Sequence, residues 1–442
     1  MRNARPLLIT LALGVFAGAL DLGVLSPALP ALARTFGVPT GDLAWVFTLY
    51  LLVTVASIAI AATLADRFGR RGIYIACITL FAVGSIIAIA SPSYGIFLFA
   101  RALQALGAGG IFPVATAAIG DVVEPERRGS ALGMVAATWG LAAIIGPTFG
   151  GLVTHFISWR WIFALNVPLA ITVIALARKY VPRSAPRARG PLDGIGLALL
   201  CTGLLLLMDG LTTARIVTGA IGALVLAGFV YWERTAEYPI VPLSLFSTPQ
   251  LAKTYLLEIA IGVLEGSLFF IPTVIVAAQG LSYAAAGLIA ALGALMFVLV
   301  IPASGRALDR IGSRDVLLAG TVLTEIGLAI FAVGFTSLPL TILAMIVAGC
   351  GFGALLGAPT RYIVTTEAGE ERRATAVGLL SQALIVGQII GGSMAGGVIG
   401  LATSELHGYR DAYLCFCGVA FVALAIAATL KSRSAERSLL RT

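Results

Sequence analysis

Charged residues are scarce in this chain. They make up 11% of its 442 residues, whereas hydrophobic residues make up 59% and the mean hydropathy is +1.01. An ordinary soluble domain carries about 25% charged residues, so this composition excludes one. Histidine is limited to His155 and His407, and the five cysteines lie in apolar runs without the spacing of metal ligands. With no metal-ligand cluster, nucleophile–base pair or phosphate-cradling loop in the sequence, we expect neither an enzyme nor a cofactor.

The cations are unevenly distributed along the chain. A net charge of +8 would suit a nucleic-acid partner, but the Lys and Arg residues lie in short connectors between apolar runs. If the chain starts in the cytoplasm, the connectors on the opposite side hold only Arg34, Arg160, Arg215 and Arg410. This is the asymmetry of the positive-inside rule. It predicts a multi-pass protein of the bacterial cytoplasmic membrane with both termini in the cytoplasm and no nucleic-acid partner.

A short charged segment between two apolar runs occurs twice. Leu64–Arg71 reads LADRFGRR, and Ala307–Arg314 reads ALDRIGSR. At nearly the same offset, Glu124–Gly133 matches Glu370–Gly378. Two glycines of the first half have counterparts in the second, Gly146 with Gly391 and Gly151 with Gly396. Several matches at one offset predict a duplicated protein with two related halves, which is a recurring architecture of transporters.

Hydropathy predicts about fourteen apolar runs of about twenty residues, each long enough to cross a bilayer. We therefore expect an all-α polytopic membrane protein. It would consist of an N-terminal six-helix bundle at 1–179, a basic linker with two inserted helices at 180–250, a C-terminal six-helix bundle at 251–430 and a basic cytoplasmic tail at 431–442. A count of twelve spans would instead make the inserted pair a re-entrant or surface hairpin.

Six polar or ionisable residues inside the apolar runs are candidates for a function, because burying a charge there costs several kcal/mol. They are Asp21, Arg101, Gln104, Glu258, Glu265 and Glu325. A carboxyl group in such a place can be charged or neutral according to its neighbours, as a proton-coupled carrier requires.

We assign proton coupling to Asp21, Arg101 and Glu265. We assign substrate binding to Asp21, Gln104, Glu258, Glu265 and Glu325. The alternative for Asp21 is a structural polar contact, and the alternative for Arg101 is a brace within the bundle. Glu258, nearer the cytoplasmic end, would instead face water, and Glu325 would only hydrogen-bond a neighbouring helix.

Two further groups of residues are assigned to conformational roles. The charged turn, together with one Asp further along, is predicted to be a latch of ion pairs between helix ends; its members are Asp66, Arg67, Gly69, Arg70, Arg71 and Asp121. The alternative is that these charges only set the topology. A helix kink with close helix packing is predicted at Gly146, Pro147, Gly150 and Gly151, with static packing as the alternative.

These motifs resemble those of the major facilitator superfamily, over nearly the whole chain. LADRFGRR resembles the family's signature between its second and third helices. Arg101–Gly110 resembles its fourth-helix motif, which is associated with proton coupling, and Gly140–Gly151 resembles the fifth-helix motif typical of exporters.

The fourteen-helix drug:proton antiporter branch gives a narrower resemblance. Trp159–Pro168 is similar to the sixth-helix signature of that branch, and Asp21 precedes Ala28–Pro30 as an Asp precedes Ala-Leu-Pro there. The chain departs from the branch at Leu25–Pro27, where an Asn is usual, and it is short for the branch.

The resemblance implies two six-helix bundles around a central cavity that opens alternately to either side. It implies a monomeric, proton-coupled antiporter in the lipid bilayer that exports small hydrophobic or cationic molecules, as in multidrug efflux. Export of a lipid or a hydrophobic metabolite is the alternative. A membrane sensor that does not transport is disfavoured, because a static binder rarely needs several buried carboxylates.

Overall fold

The structure is a computed structural model that describes residues 4–123, 125–183, 193–241, 243–246, 248–368 and 373–433. These residues form α-helices and short 3₁₀ helices, and no β-strand occurs among them. Three predicted features lie wholly or partly outside the described residues. They are the basic linker at 184–192, most of the tail at 431–442, and parts of the repeated segments Glu124–Gly133 and Glu370–Gly378, at Glu124 and at 370–372.

The helices of the first half are α1 (Ala4–Leu25), α2 (Leu29–Phe36), α3 (Ala44–Phe68), α4 (Arg70–Ala90), α5 (Tyr94–Val122), α6 (Pro125–Phe156) and α7 (Arg160–Tyr180). Two more follow, α8 (Gly194–Thr213) and α9 (Ile216–Glu233). The helices of the second half are α10 (Pro249–Gly266), α11 (Ile271–Gln279), α12 (Tyr283–Ile311), α13 (Ser313–Gly334), α14 (Leu338–Leu355), α15 (Pro359–Glu367), α16 (Arg373–Leu401) and α17 (Glu405–Ala428).

Thirteen segments of the described chain are long and apolar enough to cross a membrane. Three of them consist of two helices in line: α1 with α2, α10 with α11, and α14 with α15. Helix α6, with 32 residues, is of comparable length and brings the number to fourteen. Both inserted helices, α8 and α9, are among the thirteen. The predicted all-α fold with about fourteen spans is confirmed.

Two of these spans are interrupted at corresponding places in the two halves. A 3₁₀ turn at Ser26–Ala28 separates α1 from α2, and another at Ser267–Phe269 separates α10 from α11. Pro27 lies in the first turn, and Pro272 lies just after the second. Proline has no backbone N–H and clashes with the preceding turn, so each break falls where a regular helix is least stable.

Glycines allow close packing of helices within each half. A Cβ atom added to Gly146 of α6 would lie 2.9 Å from the backbone of Gly23 in α1. A Cβ atom added to Gly391 of α16 would lie closer still to the carbonyl oxygen of Val263 in α10. Real Cβ atoms do not approach so closely, so both positions require glycine. The two glycines matched by the sequence repeat therefore make equivalent contacts, and α6 runs through Pro147 as one helix.

Close contacts also join the two halves, at the end of the molecule where α1 stops; we call it the Ser26 end. Ser26 Oγ donates a hydrogen bond of 2.8 Å to the carbonyl oxygen of Phe269, whose ring stacks on Phe47 at 4.4 Å between centroids. Thr40 donates to Glu405 at 2.9 Å. These contacts close the space between the halves at the Ser26 end.

The inserted pair α8 and α9 packs over the boundary between the two halves. Leu204 and Met208 of α8 share an apolar cluster with Leu52 of α3 and Ile389 of α16. Helices α3 and α16 belong to different halves, so the inserted pair covers the seam between them.

Candidate functional site

A buried ion pair joins α1 to α5. Asp21 is 1% exposed and Arg101 is fully buried. Arg101 Nη1 donates to Asp21 Oδ2 at 2.5 Å and to Gln104 Oε1 at 2.8 Å. Two of the three residues assigned to proton coupling are therefore in contact, and Gln104, assigned to substrate binding, lies beside them. An ion pair this deep depends on further hydrogen bonds to offset the loss of hydration.

Two neutral residues supply further hydrogen bonds. Asn166 Nδ2, on α7, donates to Asp21 Oδ1 at 3.0 Å. Gln104 Nε2 donates to Ser85 Oγ on α4 at 2.8 Å and, at 3.4 Å, to Asp21 Oδ1. We call Asp21, Ser85, Arg101, Gln104 and Asn166 the buried polar cluster. It connects four helices of the first half.

Neither Ser85 nor Asn166 was predicted from the sequence to have a role. A hydroxyl or an amide costs less to bury than a charge does and is common in membrane helices, so neither residue stood out from its apolar run. Asn166 did fall within the quoted sixth-helix motif, where it is the polar residue of an apolar stretch.

The guanidinium group of Arg101 also contacts an aromatic ring. Its Cζ lies 4.2 Å from the centroid of the Tyr50 ring on α3. Within the described residues, Arg101 Nε and Nη2 have no hydrogen-bond partner. A cation–π interaction with the Tyr50 ring therefore offsets part of the cost of burying these two nitrogens without hydrogen bonds.

A cavity of about 230 Å³ lies between the two halves. Most of its lining is apolar or aromatic and comes from α1, α6, α12 and α14; representative residues are Leu22, Trp139, Phe297, Met345 and Phe352. Polar atoms come from Ser26, Glu265 and Gln388. Gln388 Nε2 on α16 donates to Glu265 Oε2 on α10 at 2.9 Å, which fixes the direction of the carboxylate.

Asp21 does not face this cavity. Ala19, Leu22 and Gly23 line it from α1 and Ser26 lines it from the 3₁₀ turn that follows, whereas Asp21 contacts α5 and α7 on another side of the helix. Of the described residues that we assigned to substrate binding, Glu265 is the one that lines the cavity. The structure thus separates the two acids that the sequence placed in one functional group.

Glu258 and Glu325 lie elsewhere in the second half. Glu258 is 5% exposed and is hydrogen-bonded to Thr360 on α15. Glu325 on α13 is hydrogen-bonded to Cys417 on α17. Each contact joins two neighbouring helices, which is the alternative that the sequence left open for Glu325. The alternative for Glu258, a side chain that faces water, does not fit its burial.

The predicted latch residues form ion pairs within the first half. Arg70 at the start of α4 contacts Asp66 of α3 at 2.6 Å and Asp121 of α5 at 3.0 Å. Gly69 joins α3 to α4 with φ +92°, a backbone conformation that favours glycine. The ends of three helices are thereby tied together, with Arg67 exposed and Arg71 half-buried beside them. A latch that opens when the halves move stays a prediction.

Comparison with known proteins gives a consistent family match. The family model described as Major Facilitator Superfamily matches residues 11–263 and again 254–440. The chain is 31% identical over 406 residues to the uncharacterized MFS-type transporter YfiU of Bacillus subtilis (strain 168), covering 88% of this chain and 78% of the relative.

Two further comparisons concern activity and fold. The chain is 28% identical to the multidrug resistance protein B homolog of Mycobacterium tuberculosis (strain ATCC 25618 / H37Rv), over 75% of this chain and 65% of the relative. The crystal structure of the POT family transporter PepTSo superimposes with a TM-score of 0.73 at 15% identity, covering 99% of this chain and 98% of that chain. At this identity, the second likeness concerns the fold alone.

The buried ion pair makes a prediction about stability. Arg101→Met leaves the carboxylate of Asp21 without its cation, so the free energy of unfolding should fall by about 3–5 kcal/mol. Adding Asp21→Asn removes the stranded charge and should restore most of that loss. Denaturant unfolding of the purified protein measures both changes, with Arg215→Met, an exposed residue between α8 and α9, as control. Equal losses for the single and double variants would contradict the ion pair.

Proposed function

The chain belongs to the major facilitator superfamily, and from this premise we propose that the transporter is a proton-coupled antiporter that exports cationic, amphipathic molecules by alternating access. The observation that supports this best is the chemistry of the cavity. Among its described lining residues, Glu265 is the acidic one, and it is surrounded by apolar and aromatic side chains. Ligand sites of this kind bind by apolar contact and take their specificity from a few polar groups.

Such a cavity suits a lipophilic cation. Trp139, Phe297 and Phe352 offer aromatic surface for a flat or bulky apolar body. Glu265 offers a negative charge that is screened less by water than a surface charge is, so its attraction for a cation is stronger. The relative named a multidrug resistance protein B homolog is consistent with this substrate class.

Proton coupling follows from the two separate acids. A cation that binds beside Glu265 favours the ionised carboxylate and so displaces a proton from it. Asp21 has no contact with the cavity, but it lies on α1, whose Ala19, Leu22 and Gly23 line that cavity. Protonation of Asp21 weakens its bond to Arg101 and so changes the contact that holds α1 against α5. The proton and the substrate then act on one conformational equilibrium, which is the requirement for coupling.

The closed Ser26 end represents one of the two end states of this cycle. From the distribution of cations along the chain, we place the Ser26 end outside the cell and both termini in the cytoplasm. In this proposal, the closed Ser26 end belongs to an inward-facing state of a monomer in the bacterial cytoplasmic membrane. Opening outward requires the Ser26–Phe269 and Thr40–Glu405 hydrogen bonds to break.

Export of a lipid or a hydrophobic metabolite is the second candidate, and a separate apolar pocket favours it. This pocket of about 240 Å³ lies beside the seam between α3 and α16, and representative lining residues are Val55, Leu200, Phe229, Leu256 and Ala383. A substrate without charge could use such a surface, whereas it would gain nothing from Glu265. Labelled lipids and ethidium in the same transport assay separate the two candidates.

Ethidium efflux from proteoliposomes under an imposed pH gradient tests the proposal. The wild-type protein should move ethidium against its gradient when protons flow the other way. Asp21→Asn removes the titratable group with little change of size, so its efflux should fall to the rate of empty liposomes. Asp411→Asn, at an exposed site on α17, should retain the wild-type rate. Full gradient-driven efflux by Asp21→Asn would contradict the assignment of Asp21.

A second variant tests charge recognition in the cavity. Glu265→Gln keeps the shape of the side chain but removes its charge, so ethidium affinity should fall about tenfold, equivalent to about 1.4 kcal/mol. The affinity for a neutral aromatic compound of similar size should not change. Equilibrium binding to the purified protein measures both, with Glu237→Gln, an exposed residue after α9, as control. Equal losses for the cation and the neutral compound would show that Glu265 does not select by charge.

A further inference from the structure

We propose that Asn166 is a positioning residue for the proton on Asp21: its amide donates to the charged carboxylate and turns over to accept from the protonated one. The inference rests on the proposed function, since it concerns the proton that drives transport. It adds α7 to the helices that respond to that proton. The observation behind it is the arrangement of donors and acceptors in the buried polar cluster.

Every neighbour that bonds to Asp21 is a donor. Oδ2 accepts from Arg101 Nη1 at 2.5 Å, and Oδ1 accepts from Asn166 Nδ2 at 3.0 Å and Gln104 Nε2 at 3.4 Å. This set suits a carboxylate, which has only acceptors. When a proton binds to Oδ1, the carboxyl group gains an O–H that points at two N–H groups. Burial then requires an acceptor for that O–H, because an unpaired polar group is costly to bury.

The neighbours differ in their ability to become that acceptor. Arg101 has no acceptor atom. Gln104 has a carbonyl oxygen, but it accepts from Arg101 at 2.8 Å while the amide nitrogen donates to Ser85 at 2.8 Å. Turning Gln104 over would break both bonds.

Asn166 has the freedom that Gln104 lacks. In the described part of the structure, its Oδ1 accepts no hydrogen bond, and its Nδ2 makes only the bond to Asp21 and a longer one of 3.3 Å to Ser85 Oγ. A half-turn of the amide puts Oδ1 where Nδ2 was, so that it accepts the new O–H. The proton on Asp21 and the orientation of Asn166 therefore change together.

The surroundings allow this rearrangement without another charge. The charged and titratable side chains that face Asp21 are Arg101 from α5 and Tyr50 from α3, while α4 and α7 contribute the neutral Ser85 and Asn166. Two residues beyond Asn166, Pro168 lies inside α7 and cannot donate to the preceding turn. The turn of α7 that carries Asn166 therefore lacks one hydrogen bond of a regular helix and can adjust at low cost.

Infrared difference spectroscopy of the purified transporter, titrated with acid in the absence of substrate, tests the inference. The C=O stretch of protonated Asp21 is the band that Asp21→Asn removes. In Asn166→Leu the protonated carboxyl loses its acceptor, so this band should move to higher wavenumber. Thr172→Val, at an exposed site on α7, should leave it unmoved. If Asn166→Leu does not fold, Asn166→Gln, which displaces the amide by one methylene group, should still shift the band.

Transport assays separate this inference from the proposed function. Asn166→Leu should lose gradient-driven ethidium accumulation while it keeps ethidium exchange without a gradient, because exchange needs no proton. A band that stays in place in the Asn166 variants overturns the inference, even if the wild type exports ethidium. Absence of ethidium transport by the wild type overturns the proposed function instead, and a shifted band would then still support the role of Asn166. A purely structural role would change stability without moving the band.

Discussion

The buried ion pair between Asp21 and Arg101 is the interaction on which the first half of this transporter depends. Removing both charges from water costs free energy. The pair is stable because Gln104 and Asn166 hydrogen-bond to its charged groups and the Tyr50 ring contacts the guanidinium group. These contacts come from three helices besides α1: α3, α5 and α7. The same contacts that stabilise the charge therefore hold α1 against its neighbours, and a proton at Asp21 acts on all of them at once.

A second constraint is the separation of this pair from the cavity. Helix α1 presents Asp21 to the interior of its own half and presents Leu22 and Gly23 to the space between the halves. The cavity has its own acid, Glu265, in the opposite half. In the proposed mechanism, this arrangement lets the cavity bind substrate through apolar surface and one carboxylate, while the deeper pair remains protected from solvent. Helix α1 connects the ion pair to the cavity, since it carries Asp21 and also lines the cavity.

Much of the fold was predictable from the sequence. Long apolar runs determine the spans, and the repeated charged turn revealed the duplication that Gly146 and Gly391 confirm by their equivalent contacts. Asp21, Arg101 and Gln104 were recognisable in the sequence because charged and amide side chains are costly to bury in an apolar run. The direction in which Asp21 points was not predictable. Helix α1 is apolar on nearly every side, so its sequence has no periodic pattern to show which face meets the cavity.

The most direct test of the account is the release of protons when substrate binds. Ethidium is added to the purified transporter in weakly buffered detergent solution at a series of starting pH values, and the change of pH is recorded for each. The account predicts that the wild-type protein releases protons in proportion to bound ethidium, and that Asp21→Asn binds ethidium but releases fewer. Saturating binding without proton release, or equal release by both proteins, would contradict the claim that the proton at Asp21 and the substrate in the cavity are linked.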